Sequence, residues 1–370
     1  MKEAARHAHD HDLVAIQCLR GVAASMVVVY HCFPQLERMG YAGNHFNMLS
    51  AGVDIFFIIS GFIMLYSTAR SPGRGGGAFL VNRAIRILPL YWLLTGAVVA
   101  LALATPHLLQ SSRFELGHVV KSFLMIAARH PVSDRWEPIL IPGWTLNYEL
   151  FFYLIFAACL WLARRSLNAM TLSICGAMIA IHAWSPFVDP RGLGGFYTDG
   201  IILEFVFGIL ACRAFLAGMR FPLWLCLTLI AAGVVAFALS DQFADAPRQY
   251  AYGLPALAIF LGVLYLPITA SSPGIGFFKL VGDASYSLYL GHFMLMSAIG
   301  QFWRKAGLGG IPAREPIFIL VGVGICIAAA IAIYRFVEMP MTEWLKTRLR
   351  PQPRPAFTPV TSPDALPDSR

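Results

Sequence analysis

Two ionisable side chains, Arg20 and His31, lie within the first apolar stretch of the chain. A guanidinium binds phosphate or carboxylate groups, and an imidazole exchanges a proton near neutral pH. On a helix, their offset corresponds to about 1100° of rotation and about 16 Å of rise, so the two side chains point about 20° apart. Because ionisable groups are costly inside a bilayer, the pair indicates a functional site that extends over two depths.

Three carboxylates lie near the starts of later apolar stretches, namely Asp54, Glu149 and Glu204. If these stretches begin on the side of the membrane that His31 approaches, the carboxylates converge near it. A histidine beside a carboxylate is suited to general acid–base catalysis, and we expect Asp54 or Glu149 to be the partner. A structural alternative exists for Asp54 and Glu204, because a carboxylate near a helix start is stabilised by the helix dipole.

A pair of arginines, Arg83 and Arg86, lies one helical turn apart at the start of the third apolar stretch. Together with Arg20 they predict a cationic entrance, which suits the phosphate groups of a ligand. The alternative is that both are ordinary basic residues of a cytoplasmic loop, as the positive-inside rule predicts.

The ninth apolar stretch begins at Asp283 and continues through Tyr286 to His292. It offers a helix cap, hydroxyl groups on successive turns and a histidine at mid-membrane depth. Tyr286 is alternatively a packing residue, and His292 is alternatively a core histidine bonded to another helix. Glu338, near the end of the last stretch, can pair with an arginine.

The composition predicts the elements that hold these residues. The chain has 58% hydrophobic and only 13% charged residues, with a mean hydropathy of +0.65. A typical soluble domain has about 25% charged residues. We therefore predict an all-α, polytopic membrane bundle of about ten helices, without a soluble catalytic domain. The predicted spans are 13–33, 50–68, 85–105, 144–163, 169–184, 199–217, 222–240, 250–268, 281–303 and 315–338.

The distribution of basic residues predicts the orientation. With both termini in the cytoplasm, most arginines between the spans lie inside. The longest outer loop, 106–142, contains a short apolar stretch, 119–128, that we expect to be an interfacial helix or a lid. We expect residues 1–12 to be a cytoplasmic tail and the proline-rich residues 345–370 to be disordered.

The net charge of +8 does not indicate nucleic-acid binding, because membrane topology explains the basic residues. The seven cysteines contain no Cys-x-x-Cys pair and are expected to be small core residues. His7, His9 and His11 lack a fixed scaffold, so a solvated tail is favoured over a metal site there. We expect no metal.

Several of these segments, in this order and spacing, resemble the membrane-bound acyltransferase 3 family, whose members acylate polysaccharides, lipopolysaccharides and other extracytoplasmic acceptors. The resemblance covers residues 13–340. The segments that carry it are 17–21 with 30–31, 52–62, 83–92, 144–153, 204–208, 282–292 and 334–340.

The resemblance implies an O-acetyltransferase-like enzyme of polysaccharide biosynthesis in a bacterial inner membrane. It implies that Arg20 and His31 are essential for acyl transfer, and that Arg83 and Arg86 match the family's paired arginines. The implied donor is cytoplasmic acetyl-CoA or another acyl-CoA, and the acceptor is a sugar, a polysaccharide or a glycolipid. Tyr286 is a further candidate for donor binding.

The hypothesis that follows assigns the phosphates of acyl-CoA to the three arginines and the acceptor's proton to His31, oriented by Asp54 or Glu149. An acyl-histidine intermediate remains open. Membrane carboxylates, histidines and arginines also build proton-coupled transporters and flippases, which is the second hypothesis. A sensor or scaffold without chemistry is the third.

Overall fold

The computed structural model describes residues 2–70, 75–104, 115–162, 166–243, 245–269, 272–312 and 314–349, with side chains from Val14 onward. These residues are largely helical and contain no strand, only one isolated bridge between Arg129 and Trp136. The prediction of an all-α protein is therefore confirmed for the described part of the chain.

Fifteen α-helices follow one another along the described residues. The first eight are α1 (Lys2–Tyr30), α2 (Phe33–Glu37), α3 (Gly52–Arg70), α4 (Gly76–Ala104), α5 (Leu116–Phe123), α6 (Trp144–Leu162), α7 (Leu167–Ala183) and α8 (Leu193–Thr198). The others are α9 (Leu203–Leu216), α10 (Leu223–Ala238), α11 (Leu254–Leu264), α12 (Ile275–Asp283), α13 (Ser285–Lys305), α14 (Arg314–Ile333) and α15 (Met339–Leu349). Two π-helical segments, Gln249–Gly253 and Tyr334–Glu338, precede α11 and α15.

Six helical segments are long and apolar enough to cross a bilayer, so the protein is a multi-pass membrane protein. They are Val14–Glu37, Asn47–Arg70, Gly76–Ala104, Ile141–Leu162, Leu167–Phe187 and Arg314–Leu349. Leu223–Ala238 and Gln249–Leu264 are shorter apolar helices. Each of the ten predicted spans contains a helix, but the number of crossings stays a prediction.

Several boundaries differ from the sequence-based expectation. The third span begins at Gly76 rather than at residue 85, which moves Arg83 and Arg86 from the mouth of the helix into its body. α1 already begins at Lys2, within the expected N-terminal tail. α15 continues to Leu349, so residues 345–349 are helical, whereas 350–370 lie outside the described residues. The expected interfacial segment is helical only as Leu116–Phe123.

Small residues allow the central helices to approach closely. A methyl group added to Gly61 of α3 would overlap with the backbone of Phe205, and one added to Gly208 of α9 would overlap with that of Ile58. Lipid provides little hydrophobic driving force between helices, so such close backbone contact supplies much of the packing energy. All seven cysteines are buried and free, as expected for core residues.

Candidate active site

A partly open cavity lies between α1, α3, α4, α6 and α13. The charged residues that line it are Arg20, Arg83, Arg86 and Glu149. Several tyrosines and serines also line it. The remaining walls are mostly apolar, and this surrounding strengthens electrostatic interactions inside the cavity. The cavity contains three of the arginines and one of the carboxylates that the sequence indicated.

Arg20 is held by a chain of side chains that begins on α12. Lys279 Nζ donates to Asp283 Oδ2 at 2.8 Å, and Gln17 Nε2 donates to Asp283 Oδ1 at 2.6 Å. Gln17 Oε1 in turn accepts from Arg20 Nη1 at 3.2 Å. Gly282 permits this arrangement, because any side chain there would overlap with the backbone carbonyl of Gln17. The guanidinium of Arg20 is thus oriented by two helices.

Glu149 of α6 lies among the arginines of the cavity. It faces Ser60 and Tyr153 and lies within electrostatic reach of Arg83 and Arg20. The sequence placed Glu149 at the depth of His31 as a possible partner of that histidine. The structure instead gives it cationic neighbours, so its carboxylate balances part of the positive charge in the cavity.

Arg83 and Arg86 project from consecutive turns of α4. The guanidinium of Arg83 lies 5.5 Å from the ring centre of Phe79. Arg86 lies within electrostatic reach of Glu338, whose Oε2 accepts a hydrogen bond from Ser287 Oγ at 2.6 Å. Glu338 is thus hydrogen-bonded to Ser287, and its pairing with an arginine stays a prediction.

Tyr286 of α13 lines the same cavity as the three arginines. Its hydroxyl donates to the carbonyl oxygen of Ile87 at 2.7 Å, which links α13 to α4 beside Arg86. The four residues predicted to bind the donor, Arg20, Arg83, Arg86 and Tyr286, are thus brought together.

His31 lies directly after α1, outside the wall of this cavity. Its Nδ1 lies 2.8 Å from the carbonyl oxygen of Val27, and Nε2 of His292 approaches the same nitrogen at 3.3 Å. His292 follows Tyr289 by one helical turn, and Tyr289 lines the cavity. A single turn of α13 therefore separates His31 from the cavity.

Asp54 does not pair with His31, which corrects the expected His–carboxylate pair. Its fully buried carboxylate receives two hydrogen bonds from Arg248. Glu204 is also fully buried and faces the carboxyl group of Asp54. Asp54, Glu204 and Arg248 form a cluster that is separate from the cavity.

Arg248 was missed by the sequence-based reasoning. It lies before α11 on the face where the positive-inside rule predicts few basic residues, and that exception was the available signal. His292 was recognised, but nothing in the sequence decided between a core role and a role at the site.

The described segment before α6, residues 115–143, is bonded to the middle of α4. Tyr91 donates its hydroxyl hydrogen to the carbonyl oxygen of Ser122 at 2.8 Å, and Trp92 Nε1 donates to that of Phe123 at the same distance. Two buried histidines, His118 and His130, pack edge to face with ring centres 5.3 Å apart. Burial lowers the pKa of both histidines below the ordinary value of 6.5.

Comparison with known proteins identifies the chemistry. The profile of a family described as "Acyltransferase domain" matches residues 13–335, most of the chain. The chain belongs to the acyltransferase 3 family. This acyltransferase is 36% identical to the exopolysaccharide production protein ExoZ of Rhizobium meliloti (strain 1021) over 300 residues, which cover 81% of this chain and 91% of ExoZ.

Two further relatives of the acyltransferase carry names that state a reaction. The acyltransferase MdmB of Streptomyces mycarofaciens is 26% identical over 96% of both chains. The putative peptidoglycan O-acetyltransferase YrhL of Bacillus subtilis (strain 168) is 23% identical over 90% of this chain and 55% of YrhL. No solved structure gives a significant match. The acyltransferase described here is thus a membrane O-acyltransferase.

Proposed function

We propose that this enzyme transfers an acyl group, in the first instance acetyl, from cytoplasmic acetyl-CoA to a hydroxyl of an extracytoplasmic sugar, polysaccharide or glycolipid. The observation that carries the proposal is the cavity in which Arg20, Arg83 and Arg86 surround the single carboxylate of Glu149. Such an excess of positive charge in apolar surroundings suits a ligand with several phosphate groups.

The arginines supply the donor-binding part of the proposal. Guanidinium groups bind phosphate oxygens through two parallel hydrogen bonds, and these charge-assisted bonds are stronger than neutral ones. The phosphates of the donor bind at Arg83 and Arg86, and Arg20 completes the set. Tyr286, whose hydroxyl hydrogen is donated to Ile87, positions α4 beside them. The pantetheine arm then extends toward the outer side of the bundle and carries the thioester at its end in that direction.

His31 supplies the proton transfer. It accepts the proton of the acceptor hydroxyl while the oxygen attacks the thioester carbonyl, the carbon–sulfur bond breaks, and the proton then passes to the departing sulfur. The products are an ester and free CoA. Transfer through an acyl-histidine would give the same products by two steps. Glu149 takes part through the arginines rather than through His31.

The orientation follows from the loop charges. Both termini face the cytoplasm of a bacterial cell, and the protein lies in the inner membrane. The printed names of ExoZ and YrhL refer to an exopolysaccharide and to peptidoglycan, and both polymers lie outside the cytoplasm. These names support an outward-facing acceptor site but do not identify the acceptor of this enzyme.

The test uses purified enzyme in nanodiscs with acetyl-CoA and membrane extracts that contain candidate acceptors. We expect release of free CoA thiol together with an acceptor mass increase of one acetyl group. Both should be lost in a His31→Ala variant that folds as well as the wild type. Acceptor acetylation by a folded His31→Ala variant would disprove the role of His31. A wild-type enzyme that releases no thiol from acetyl-CoA would disprove the proposal that acetyl-CoA is the donor.

The transporter hypothesis rested on ionisable groups in the membrane, and the family to which the chain belongs now accounts for these groups as parts of an enzyme. Comparison of surface polysaccharides and lipids from cells with and without the protein separates the two. An enzyme gives a mass difference of one acyl group on the polymer, whereas a transporter changes its amount or location.

A further inference from the structure

His292 is a buried residue of α13 for which the proposed transfer has no role so far. Its side chain is only 1% exposed, and its imidazole packs against that of His31 with ring centres 4.8 Å apart and planes at 62°. The two histidines stand 261 residues apart in sequence. Their contact joins the proposed base, directly after α1, to the helix that carries Tyr289 into the cavity wall.

Backbone carbonyls determine which nitrogen of His292 carries hydrogen. Its Nδ1 lies 2.7 Å from the carbonyl oxygen of Tyr289 and 3.2 Å from that of Leu288. A carbonyl oxygen only accepts hydrogen bonds, so this Nδ1 must be the donor. In the neutral imidazole, Nε2 of His292 is then an acceptor, and it faces Nδ1 of His31.

The same reasoning applies to His31. Its Nδ1 lies 2.8 Å from the carbonyl oxygen of Val27 and therefore carries a hydrogen. This hydrogen is shared between Val27 and Nε2 of His292. Nε2 of neutral His31 keeps a free lone pair, which is the atom that a general base needs.

Three aromatic rings surround the imidazole of His31. Tyr30 lies 5.2 Å away at 90° and Phe293 lies 5.6 Å away at 80°, both edge to face. His292 is the third ring. Tyr30 and Phe293 restrict the orientation by packing, whereas His292 also offers a hydrogen-bond acceptor that matches one tautomer.

We propose that His292 is a positioning residue that, together with the carbonyl oxygen of Val27, holds the ring of His31 with hydrogen on Nδ1 and a free lone pair on Nε2. This inference rests on the proposed function, in which His31 is the base. When Nε2 of His31 takes the hydroxyl proton, its Nδ1–H strengthens its bonds to His292 and Val27, and no carboxylate is required. When the proton passes to the CoA sulfur, both histidines return to their starting state.

Three substitutions of His292 separate positioning from packing. In His292→Gln, the amide can place an acceptor oxygen near the former position of Nε2. His292→Asn has the same chemistry but is one methylene shorter, which makes it the matched control. His292→Phe keeps a ring and removes both nitrogens.

We expect kcat of acetyl transfer to fall about 10- to 100-fold in His292→Asn and His292→Phe, because part of the contribution of the general base is lost. His292→Gln should recover most of the rate. KM for acetyl-CoA should change by less than about 3-fold in all three, because His292 lies outside the donor cavity. Rates are expressed per folded enzyme. Equal kcat values for His292→Asn, His292→Phe and the wild type would overturn the inference.

Nitrogen NMR tests the tautomer independently of activity. In ¹⁵N-histidine-labelled wild type, the signals of His31, assigned by their absence in His31→Gln, should show a protonated Nδ1 and an unprotonated Nε2. In His292→Phe the hydrogen should stay on Nδ1, because Val27 still accepts it, but the Nδ1 signal should shift because its second acceptor is gone. The opposite tautomer in the wild type would overturn the inference even if the variants do not fold. A wild type that consumes no acetyl-CoA would contradict the proposed function, not this tautomer.

Discussion

Arg248 holds Asp54 through two short contacts, with Nη2 2.6 Å from Oδ2 and Nε 3.0 Å from Oδ1. The carboxylate is fully buried, whereas the arginine side chain is 30% exposed. Both carboxylate oxygens are therefore engaged away from His31. Asp54 stabilises the contact between α3 and the segment before α11, and His31 is oriented by other groups.

Replacing Asp54 by asparagine should destabilise the protein. Removal of one partner of a buried ion pair typically lowers the free energy of unfolding by about 3–5 kcal/mol. Because Arg248 is partly exposed, we expect a loss near the lower end of this range. The measurement is denaturant unfolding in micelles. In the control, Asp54→Asn with Arg248→Gln removes both charges and should recover at least half of the loss.

The same double variant tests the chemistry. Its acetyl-transfer rate per folded enzyme should stay within about 3-fold of wild type, because only an interaction made in the transition state lowers kcat. A folded double variant without activity would show that Asp54 acts in the reaction after all.

The sequence located the polar residues that are unfavourable inside a bilayer, but it did not identify their partners. Hydropathy placed Asp54, Glu149 and His31 within membrane helices, and rise per residue gave their depth. Depth does not determine which neighbouring helix a side chain faces. Asp54 and His31 share an expected depth, yet one faces Arg248 and the other faces α13. Glu149 lies instead with the arginines.

The close approach of α12 to α1 predicts a sensitive glycine. Gly282→Ala places a methyl group against the backbone carbonyl of Gln17, and relief of the overlap must separate the two helices. We expect a loss of about 1–3 kcal/mol of stability, as for other overpacked sites, and a higher KM for acetyl-CoA because Arg20 shifts with Gln17.

Gly276→Ala is the matched control for this substitution. Gly276 lies on the same helix, and a methyl group there meets nothing within 4 Å. The control should retain wild-type stability and KM. Because alanine has the higher helix propensity, equal losses of stability in the two variants would show that the contact with Gln17 does not govern the result.

Arg86 provides the direct test of donor binding. Arg86→Gln should raise KM for acetyl-CoA about 10- to 100-fold, since a hydrogen bond to a charged group contributes about 1.5–3 kcal/mol. Initial rates over a range of acetyl-CoA concentrations give the value. Arg348→Gln, on the exposed part of α15 and outside the cavity lining, should leave KM unchanged.

A comparison of donors sharpens this experiment. Acetyl-dephospho-CoA lacks the 3′-phosphate, so it should bind the wild type more weakly than acetyl-CoA and should lose less on Arg86→Gln if this arginine binds that phosphate. A substitution that lowers kcat for both donors without changing KM would contradict a donor-binding role.

The histidines of the segment between α4 and α6 predict a pH dependence of its local stability. Burial lowers the pKa of His118 and His130, and for His118 the charge of His130 acts in the same direction. Glu115 and Glu137 oppose this and Lys121 adds to it, without reversing the shifts. The unfolded segment therefore binds protons more readily than the folded one.

Its stability is complete above about pH 6.5 and falls as the pH drops toward the lowered values. Hydrogen–deuterium exchange of residues 115–130, corrected for the intrinsic rate at each pH, should show increasing exchange from pH 7.5 to 5.5. His118→Phe with His130→Asn should remove the dependence. Asparagine can keep the acceptor that receives the backbone N–H groups of Val132 and Ser133. An unchanged pH profile in this variant would assign the effect to other groups.

The position of the arginines was predictable in part. Their spacing placed Arg83 and Arg86 on one side of a helix, and the arginine of α1 was expected behind them. The extra turns of α4 before Arg83 were not expected, because Gly76 and Gly77 were not recognised as helical. Glycine lowers helix propensity, but close contact of Gly76 with the backbone of Ala157 overrides that preference.

The support of Arg20 has a consequence for synthesis of the protein. Gln17 and Asp283 stand 266 residues apart, so the arginine is oriented only once α12 has joined α1. These helices are synthesised and inserted one after another. The cavity is incomplete until α13, which forms one of its walls, has been inserted. Unfinished chains therefore lack the complete cavity, and an oriented Arg20 marks a bundle whose early and late helices have met.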